Sequence, residues 1–138
     1  MILGLVLMNA VAGLDPTAIA AVTFDQIEWQ HNPLADTAIL AGDPARPGLY
    51  VQLIRWKPHQ MSRPHFHNNV RYVTVLKGTW WVGSGAKYDP DSTVPMHAGT
   101  VVTDIAKGLH YDGAKDEEAI IEIVGEGPVT TTQAEVKP

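Results

Sequence analysis

The sequence predicts an all-β domain of short antiparallel strands, arranged as a sandwich or a barrel. Twelve glycines and 10 prolines interrupt the chain, and only 18% of its residues are charged. This composition favours many short strands over long helices. No window of eleven or more residues after position 20 has the 3.6-residue apolar period of a helix. A length of 138 residues is that of one domain with a single core.

Short β-rich segments separated by turn residues follow one another along the chain. They are residues 24–29, 37–41, 50–56, 65–67, 70–76, 79–82, 100–105 and 119–124. β-branched and aromatic side chains are frequent in most of them. The dipeptide Lys77-Gly78 predicts a hairpin turn between two of these strands. Residues 84–95 predict a loop, because Gly, Asp, Ser and Pro are common there.

The predicted organisation has three parts: an N-terminal segment over residues 1–20, a barrel over 21–128 and a polar tail over 129–138. Residues 2–12 are apolar except for Asn9 and end in an A-x-A pattern, which resembles a signal-peptide cleavage site without a basic leader. One interpretation is a truncated export signal, which predicts an exported or periplasmic protein. The alternative, for a cytoplasmic protein, is an apolar strand buried in the fold or exchanged with a dimer partner.

Charge and composition exclude several classes of function. The formal net charge is -5 and there is no basic run, so no nucleic-acid partner is expected. The 2–12 stretch is too short to span a bilayer, so no membrane association is expected either. The chain has no cysteine, which excludes disulfides, thiolate ligands and cysteine nucleophiles. Dinucleotide, P-loop, nucleophile-elbow and H-E-x-x-H motifs are all missing.

Two of the six histidines have the spacing of a metal-binding pair. His65 and His67 are two residues apart, which on a strand places both side chains on the same face. Two such imidazoles can bind one metal ion at about 2.0–2.2 Å. A third ligand must come from another strand, and His110 is the leading candidate. An accidental pair at the surface or in the core is the alternative that the spacing alone leaves open.

The segment from His65 to Gly78 resembles the first motif of the cupin superfamily, G-x5-H-x-H-x3-E-x6-G. Both histidines and the closing glycine match, whereas His59 stands at the opening glycine and Arg71 at the glutamate. In the second motif, G-x5-P-x-G-x2-H-x3-N, the residues that match are Gly99 and His110. Its proline, second glycine and asparagine are replaced by Ile105, Lys107 and Ala114. The resemblance covers residues 50–125, and residues 77–92 are similar to a group of small bacterial cupins.

The resemblance implies an antiparallel jelly-roll barrel with one metal ion, held by His65, His67 and His110. Arg71 replaces the usual glutamate ligand and cannot bind a metal, because its guanidinium stays protonated. If it points inward, Arg71 is a candidate catalytic residue that binds an anionic substrate or peroxide. The alternative is an outward orientation in an ion pair.

A donor set of imidazoles alone favours one divalent late transition metal. We expect Fe(II) or Cu(II), with Zn, Ni and Mn as alternatives. In its three histidines the sequence resembles those cupins that are O2-using dioxygenases. The resemblance therefore implies a metal-dependent oxidoreductase that uses O2 or peroxide on a diketone, an aromatic compound or a carbohydrate. The alternatives are a metal-dependent isomerase or cyclase, and a non-catalytic metal-binding or ligand-binding protein.

Five further residues are candidates for the site. Trp80 and Trp81 face opposite sides of a strand, so one belongs to the core and the other lines the pocket, is exposed or is buried in a dimer interface. Lys107 could reach the rim of the pocket. His59 and His97 are possible supports around the metal, with an ordinary loop position as the alternative. The expected partners are a small-molecule or glycan substrate and a second copy of the chain in a homodimer.

Overall fold

The computed structural model describes residues 11–137. Ten strands follow each other along the chain: β1 (Ala35–Ala41), β2 (Gly48–Trp56), β3 (His65–His67), β4 (Arg71–Lys77), β5 (Thr79–Ser84), β6 (Val94–His97), β7 (Val101–Asp104), β8 (His110–Gly113), β9 (Ala119–Gly127) and β10 (Thr131–Gln133). They form two five-stranded sheets, in the order β1-β2-β9-β4-β7 and β10-β3-β8-β5-β6. Every pairing between neighbouring strands is antiparallel.

The two sheets pack together through their apolar inner faces. Alternate residues of β4 and β9, such as Val73, Val75, Ile121 and Ile123, are almost fully buried and share one cluster with Trp80 of β5. Alternation follows from the two-residue period of a strand. Each fully buried aliphatic side chain of this kind contributes about 1.5–3 kcal/mol. The prediction of an all-β jelly-roll fold is therefore confirmed.

The predicted hairpin at Lys77-Gly78 is wrong. β4 pairs with β7 and β9, whereas β5 pairs with β6 and β8 in the other sheet. Gly78 carries the chain between the sheets with a φ of 70°, and a Cβ at this position would collide with the carbonyl oxygen of Glu118. The turn therefore requires glycine, but it joins two sheets and not two paired strands.

Three other local predictions differ from the structure. The first predicted strand, residues 24–29, contains a 3-10 helix (Phe24–Gln26). The predicted loop at 84–95 contains a second 3-10 helix (Pro90–Ser92) and the start of β6. The predicted polar tail contributes β10, which pairs with β3 through all three of its residues. β10 matters for function, because β3 carries two of the candidate ligands.

The prediction of an export signal or an exchanged strand at the N-terminus concerns residues 2–12, of which 2–10 lie outside the described residues. Residues 11–20 form turns and are exposed. Within the described part of the chain, no helix has the length and apolar character needed to cross a membrane.

Candidate metal centre

Three histidines meet on neighbouring strands of the second sheet. His65 and His67 project from the same face of β3, and each is only 5% exposed. β8 pairs with β3 so that His110 lies directly opposite His65. The ring centroids of the three imidazoles are 4.4–5.5 Å apart. One ring nitrogen from each histidine lies within 4.8 Å of the other two, which is close enough for a single metal ion to bridge them.

Backbone carbonyl groups fix the orientation of all three rings. The Nδ1 atoms lie 2.7 Å from the Arg63 oxygen for His65, 3.2 Å from the Thr130 oxygen for His67, and 3.1 Å from the Gly108 oxygen for His110. A carbonyl oxygen only accepts hydrogen bonds, so each Nδ1 carries the hydrogen and donates it. Each neutral ring then keeps a lone pair on Nε2, which is the arrangement that supports metal-binding histidines.

The protonation state and burial of the cluster also suit a cation. Burial lowers the pKa of His65, and burial followed by the nearby Arg71 charge lowers the pKa of His67 to about 4. Both imidazoles are therefore neutral near pH 7 and able to bind a metal. The Nε2 atom of His67 is buried and has no hydrogen-bond partner among residues 11–137. Because a buried lone pair without a partner is costly, a metal ion at this position would satisfy an otherwise unpaired atom.

His65 and His67 line a cavity of about 200 Å³ between the two sheets, here called the histidine cavity, whereas His110 is not part of its lining. Its apolar wall comes mainly from the first sheet and consists of Ile54, Trp56, Val73, Ile121 and Ile123, with Trp80 from the second. Its polar lining includes Ser62, His65, His67, Arg71, Asp112, Thr131 and Gln133. A larger cavity of about 450 Å³ lies elsewhere, around Trp29 and Arg55, and includes none of the three histidines.

Arg71 lines the histidine cavity and is at the same time in an ion pair. Its Nε lies 2.8 Å and its Nη2 2.6 Å from Oδ2 of Asp104. The side chains of Arg71 and Asp104 are 14% and 7% exposed, so the pair is largely buried. Asp104 Oδ1 also lies 3.5 Å from Nδ1 of His110. Arg71 therefore has the inward orientation of the first alternative and, at the same time, the ion pair of the second.

A second buried carboxylate, Asp112, stands two residues after His110 on β8. Its Oδ1 accepts a hydrogen bond from Ser62 at 3.0 Å, and its Oδ2 accepts one from the Trp80 indole at 2.9 Å. Asp112 Oδ1 is 3.9 Å from Nε2 of His65. These contacts fix a carboxylate oxygen close to the cluster, within the same cavity.

The two tryptophans face different environments. Trp80 is 3% exposed and lines the cavity. Trp81 is half-buried on the other face of β5, where its ring stacks 4.0 Å from the Nζ of Lys115. The structure therefore brings Trp80, and not Trp81, to the histidines.

The remaining candidates lie outside the cavity lining. Lys107 has a φ of 62° and an exposed side chain, and its backbone N–H donates to the His67 carbonyl oxygen at 2.7 Å. The backbone N–H of His59 donates to the Lys115 oxygen, and its side chain lines a separate surface cavity with Met61 and Tyr88. His97 is exposed, and its Nδ1 lies 3.2 Å from Oγ1 of Thr79.

Sequence reasoning missed Asp104 and Asp112. Asp112 follows His110 with the spacing of His65 and His67, so the same-face rule for strands could have identified it. Asp104 carries no pattern of this kind, yet it is buried against Arg71. Only the register of β4 with β7, which places Arg71 opposite Asp104, reveals that pair.

Comparison with known proteins shows similarity in structure. No protein-family model and no curated protein sequence matches the chain. The polyketide cyclase RemF from Streptomyces resistomycificus superposes with a TM-score of 0.69 at 15% identity, covering 86% of this chain and 87% of RemF. A cupin-2 domain protein from Rhodospirillum rubrum gives 0.66 at 13% identity, covering 85% and 80%. A cupin-superfamily sugar phosphate isomerase from Silicibacter pomeroyi gives 0.62 at 19%, covering 84% and 82%.

These neighbours share the two-sheet architecture with this chain over most of its length. At identities below 20% the similarity concerns the fold and carries no activity with it. The chain therefore has the fold of the cupin proteins, with a three-histidine cluster between its two sheets.

Proposed function

We propose that the chain is a metal-dependent oxidoreductase that uses O2 or peroxide on a small organic substrate. Nε2 of His65, His67 and His110 would hold one divalent metal ion, Fe(II) or Cu(II) in preference to Zn, Ni or Mn. The observation that carries this proposal is the donor set: three imidazoles with Nδ1 fixed by carbonyl groups and Nε2 free. Within residues 11–137 no carboxylate joins the cluster.

Three neutral donors leave coordination positions open, and a bound iron or copper ion would supply redox chemistry there. The protein residues bind and orient the substrate. Arg71 is the candidate for an anionic group of the substrate, because its guanidinium lines the cavity and has N–H donors beyond the two bonded to Asp104. Aliphatic side chains of the first sheet form an apolar wall in the same cavity.

The size of the cavity restricts the substrate class. A cavity of about 150 Å³ is enough to bind benzene in an engineered protein. At about 200 Å³, the histidine cavity has room for a diketone or a single substituted aromatic ring. A glycan chain exceeds this volume, so we propose the smaller substrates.

Asp112 supports a second candidate, a metal-dependent isomerase or cyclase. Lewis-acid chemistry of this type needs a group that moves a proton near the metal. The Asp112 carboxylate is 3.9 Å from the Nε2 of His65 and is oriented by Ser62 and Trp80. Two of the structural neighbours are described as a cyclase and an isomerase.

Metal content and O2 uptake distinguish the two candidates. The protein is purified without a histidine tag, its metals are measured by elemental analysis, and O2 uptake is recorded with diketones and aromatic acids. About one iron or copper per chain with substrate-dependent uptake supports the oxidoreductase. Zinc or nickel with anaerobic turnover supports the isomerase or cyclase. Bound metal without turnover indicates a binding protein, and no metal after reconstitution contradicts the site itself.

A further inference from the structure

A second cavity of about 240 Å³ adjoins the metal centre. It is formed by β5, β7, the start of β8 and the segment between β7 and β8. Its apolar wall consists of Trp80, Val82, Val102, Ile105 and Leu109. Trp80 also lines the histidine cavity, so its indole ring contributes to both.

Within the described residues, the carboxylate in the lining of the second cavity is balanced by a cation. Asp104 is the charged side chain in the lining, and Arg71 neutralises it. His110 lines this cavity too, and its Nδ1 donates to the Gly108 carbonyl oxygen. Burial of a charged ligand against apolar walls is costly without an opposite charge, so this lining favours a neutral molecule.

We propose that the second cavity binds a small neutral aromatic molecule. Its volume exceeds the approximately 150 Å³ that accommodates benzene in an engineered cavity, which leaves room for one ring with small substituents. Trp80 forms part of the aromatic and aliphatic wall, and Ser84, on the same face of β5 as Trp80 and Val82, brings a hydroxyl group that can bond a polar substituent. The inference does not rest on the proposed function: His110 lines this cavity and is also a candidate ligand, but the apolar wall that would hold the ring contains none of the three histidines.

A ring bound in the second cavity would lie next to the metal centre. His110 is the member of the histidine cluster that lines the second cavity, and Asp104 contacts both His110 and Arg71. A ring bound here therefore lies against the back of the cluster, on a side that the histidine cavity does not use.

The test follows 4-fluorophenol by 19F NMR during titration with the purified protein. We expect saturable binding to the wild type, weakened at least about tenfold in Val102→Phe, whose larger side chain fills the cavity. Val101→Phe is the matched control, because Val101 is the preceding residue on β7 and is 70% exposed. Its affinity should equal that of the wild type.

Two further variants keep the test decisive. Ile105→Asp places a charge at the mouth of the cavity and should therefore weaken binding of the probe. Because Ile105 is 68% exposed, we expect this variant to fold. His65→Ala alters only the histidine cavity and should bind the probe as the wild type does. No saturable binding to the wild type, equal binding by Val102→Phe, or loss of binding in His65→Ala would each overturn the proposal. Loss of binding in His65→Ala would place the ring in the histidine cavity. None of these three outcomes would change the metal analysis that tests the proposed function.

Discussion

The guanidinium of Arg71 and the carboxylate of Asp104 form a largely buried ion pair across the register of β4 and β7. Arg71 stands where the first cupin motif has its glutamate ligand. At this position the chain therefore carries a cation whose charge a neighbouring strand already balances. The pair adds no net charge beside the three histidines, and the Asp112 carboxylate, 3.9 Å from Nε2 of His65, is a further buried acidic group next to them.

Removal of Arg71 should be strongly destabilising, because it leaves the Asp104 carboxylate buried without a partner. We expect Arg71→Ala to lower the free energy of unfolding by about 3–5 kcal/mol, measured by urea denaturation. The control is Lys77→Ala on the same strand, whose ion pair with Glu118 is exposed and should contribute about 0–1 kcal/mol. Equal losses in the two variants would mean that the Arg71 pair is energetically a surface pair.

The histidine assignments predict a clear division among single variants. His65→Ala and His110→Ala should lose stoichiometric metal, measured by elemental analysis after reconstitution, and should retain the fold as judged by circular dichroism. His97→Ala should keep its metal, because His97 is exposed and contacts Thr79. Full metal occupancy in either of the first two variants would show that the ligand set is different.

Asp36 predicts an acid-sensitive contribution to stability. Burial raises the pKa of its carboxyl, but contacts with Arg55, His31, the Asn32 amide and Lys57 outweigh burial and hold the pKa well below its ordinary value. A carboxyl whose pKa is lower in the folded than in the unfolded protein stabilises the fold. This stabilisation is complete above the pKa of the unfolded state, about 3.9, and is lost progressively as the pH falls below that value. We expect Asp36→Asn to lose about 1–3 kcal/mol at pH 7.

The difference between wild type and Asp36→Asn should then shrink as the pH falls below about 4, since the protonated wild type resembles the amide. Urea denaturation of both proteins at a series of pH values measures it. A difference that stays constant down to pH 2 would show that the pKa of Asp36 does not change on folding.

The tandem tryptophans allow a matched test of the Asp112 contact. Trp80→Phe keeps most of the apolar ring but removes the N–H that donates to Asp112, so we expect a loss of about 1–3 kcal/mol. Trp81→Phe keeps the ring face beneath Lys115 and should lose less, about 0.5–1 kcal/mol. Urea denaturation measures the loss in free energy of unfolding for both variants. A larger loss in Trp81→Phe than in Trp80→Phe would argue against a structural role for the indole N–H of Trp80.

The strand content and the pair His65 and His67 could be predicted, because period-two patterns and the H-x-H spacing are local properties of the sequence. His110 was identified by its place in the second cupin motif. The partners of the strands could not. Lys77-Gly78 has the local signature of a hairpin, yet Gly78 joins two sheets. Likewise, residues 129–138 have the polar composition of a tail, and only the pairing of Thr131 with His67 shows that they complete the second sheet.

The same dependence on distant partners extends to Asp104. No residue close to Asp104 in the sequence identifies its partner, and its side chain is buried because β7 pairs with β4, which places it against Arg71, 33 positions away in the chain. Long-range pairings of this kind carry no local signal. The sequence predicts the chemistry of the individual residues, whereas the fold determines which of them come into contact.

The carbonyl oxygen that orients His67 belongs to Thr130, 63 positions later in the chain. During synthesis on the ribosome, all three imidazoles would emerge before this acceptor and before β10. The ring of His67 would therefore lack its orienting hydrogen bond until the chain beyond Gln133 had been made. The orientation of His67 is therefore complete only once β10 has paired with β3.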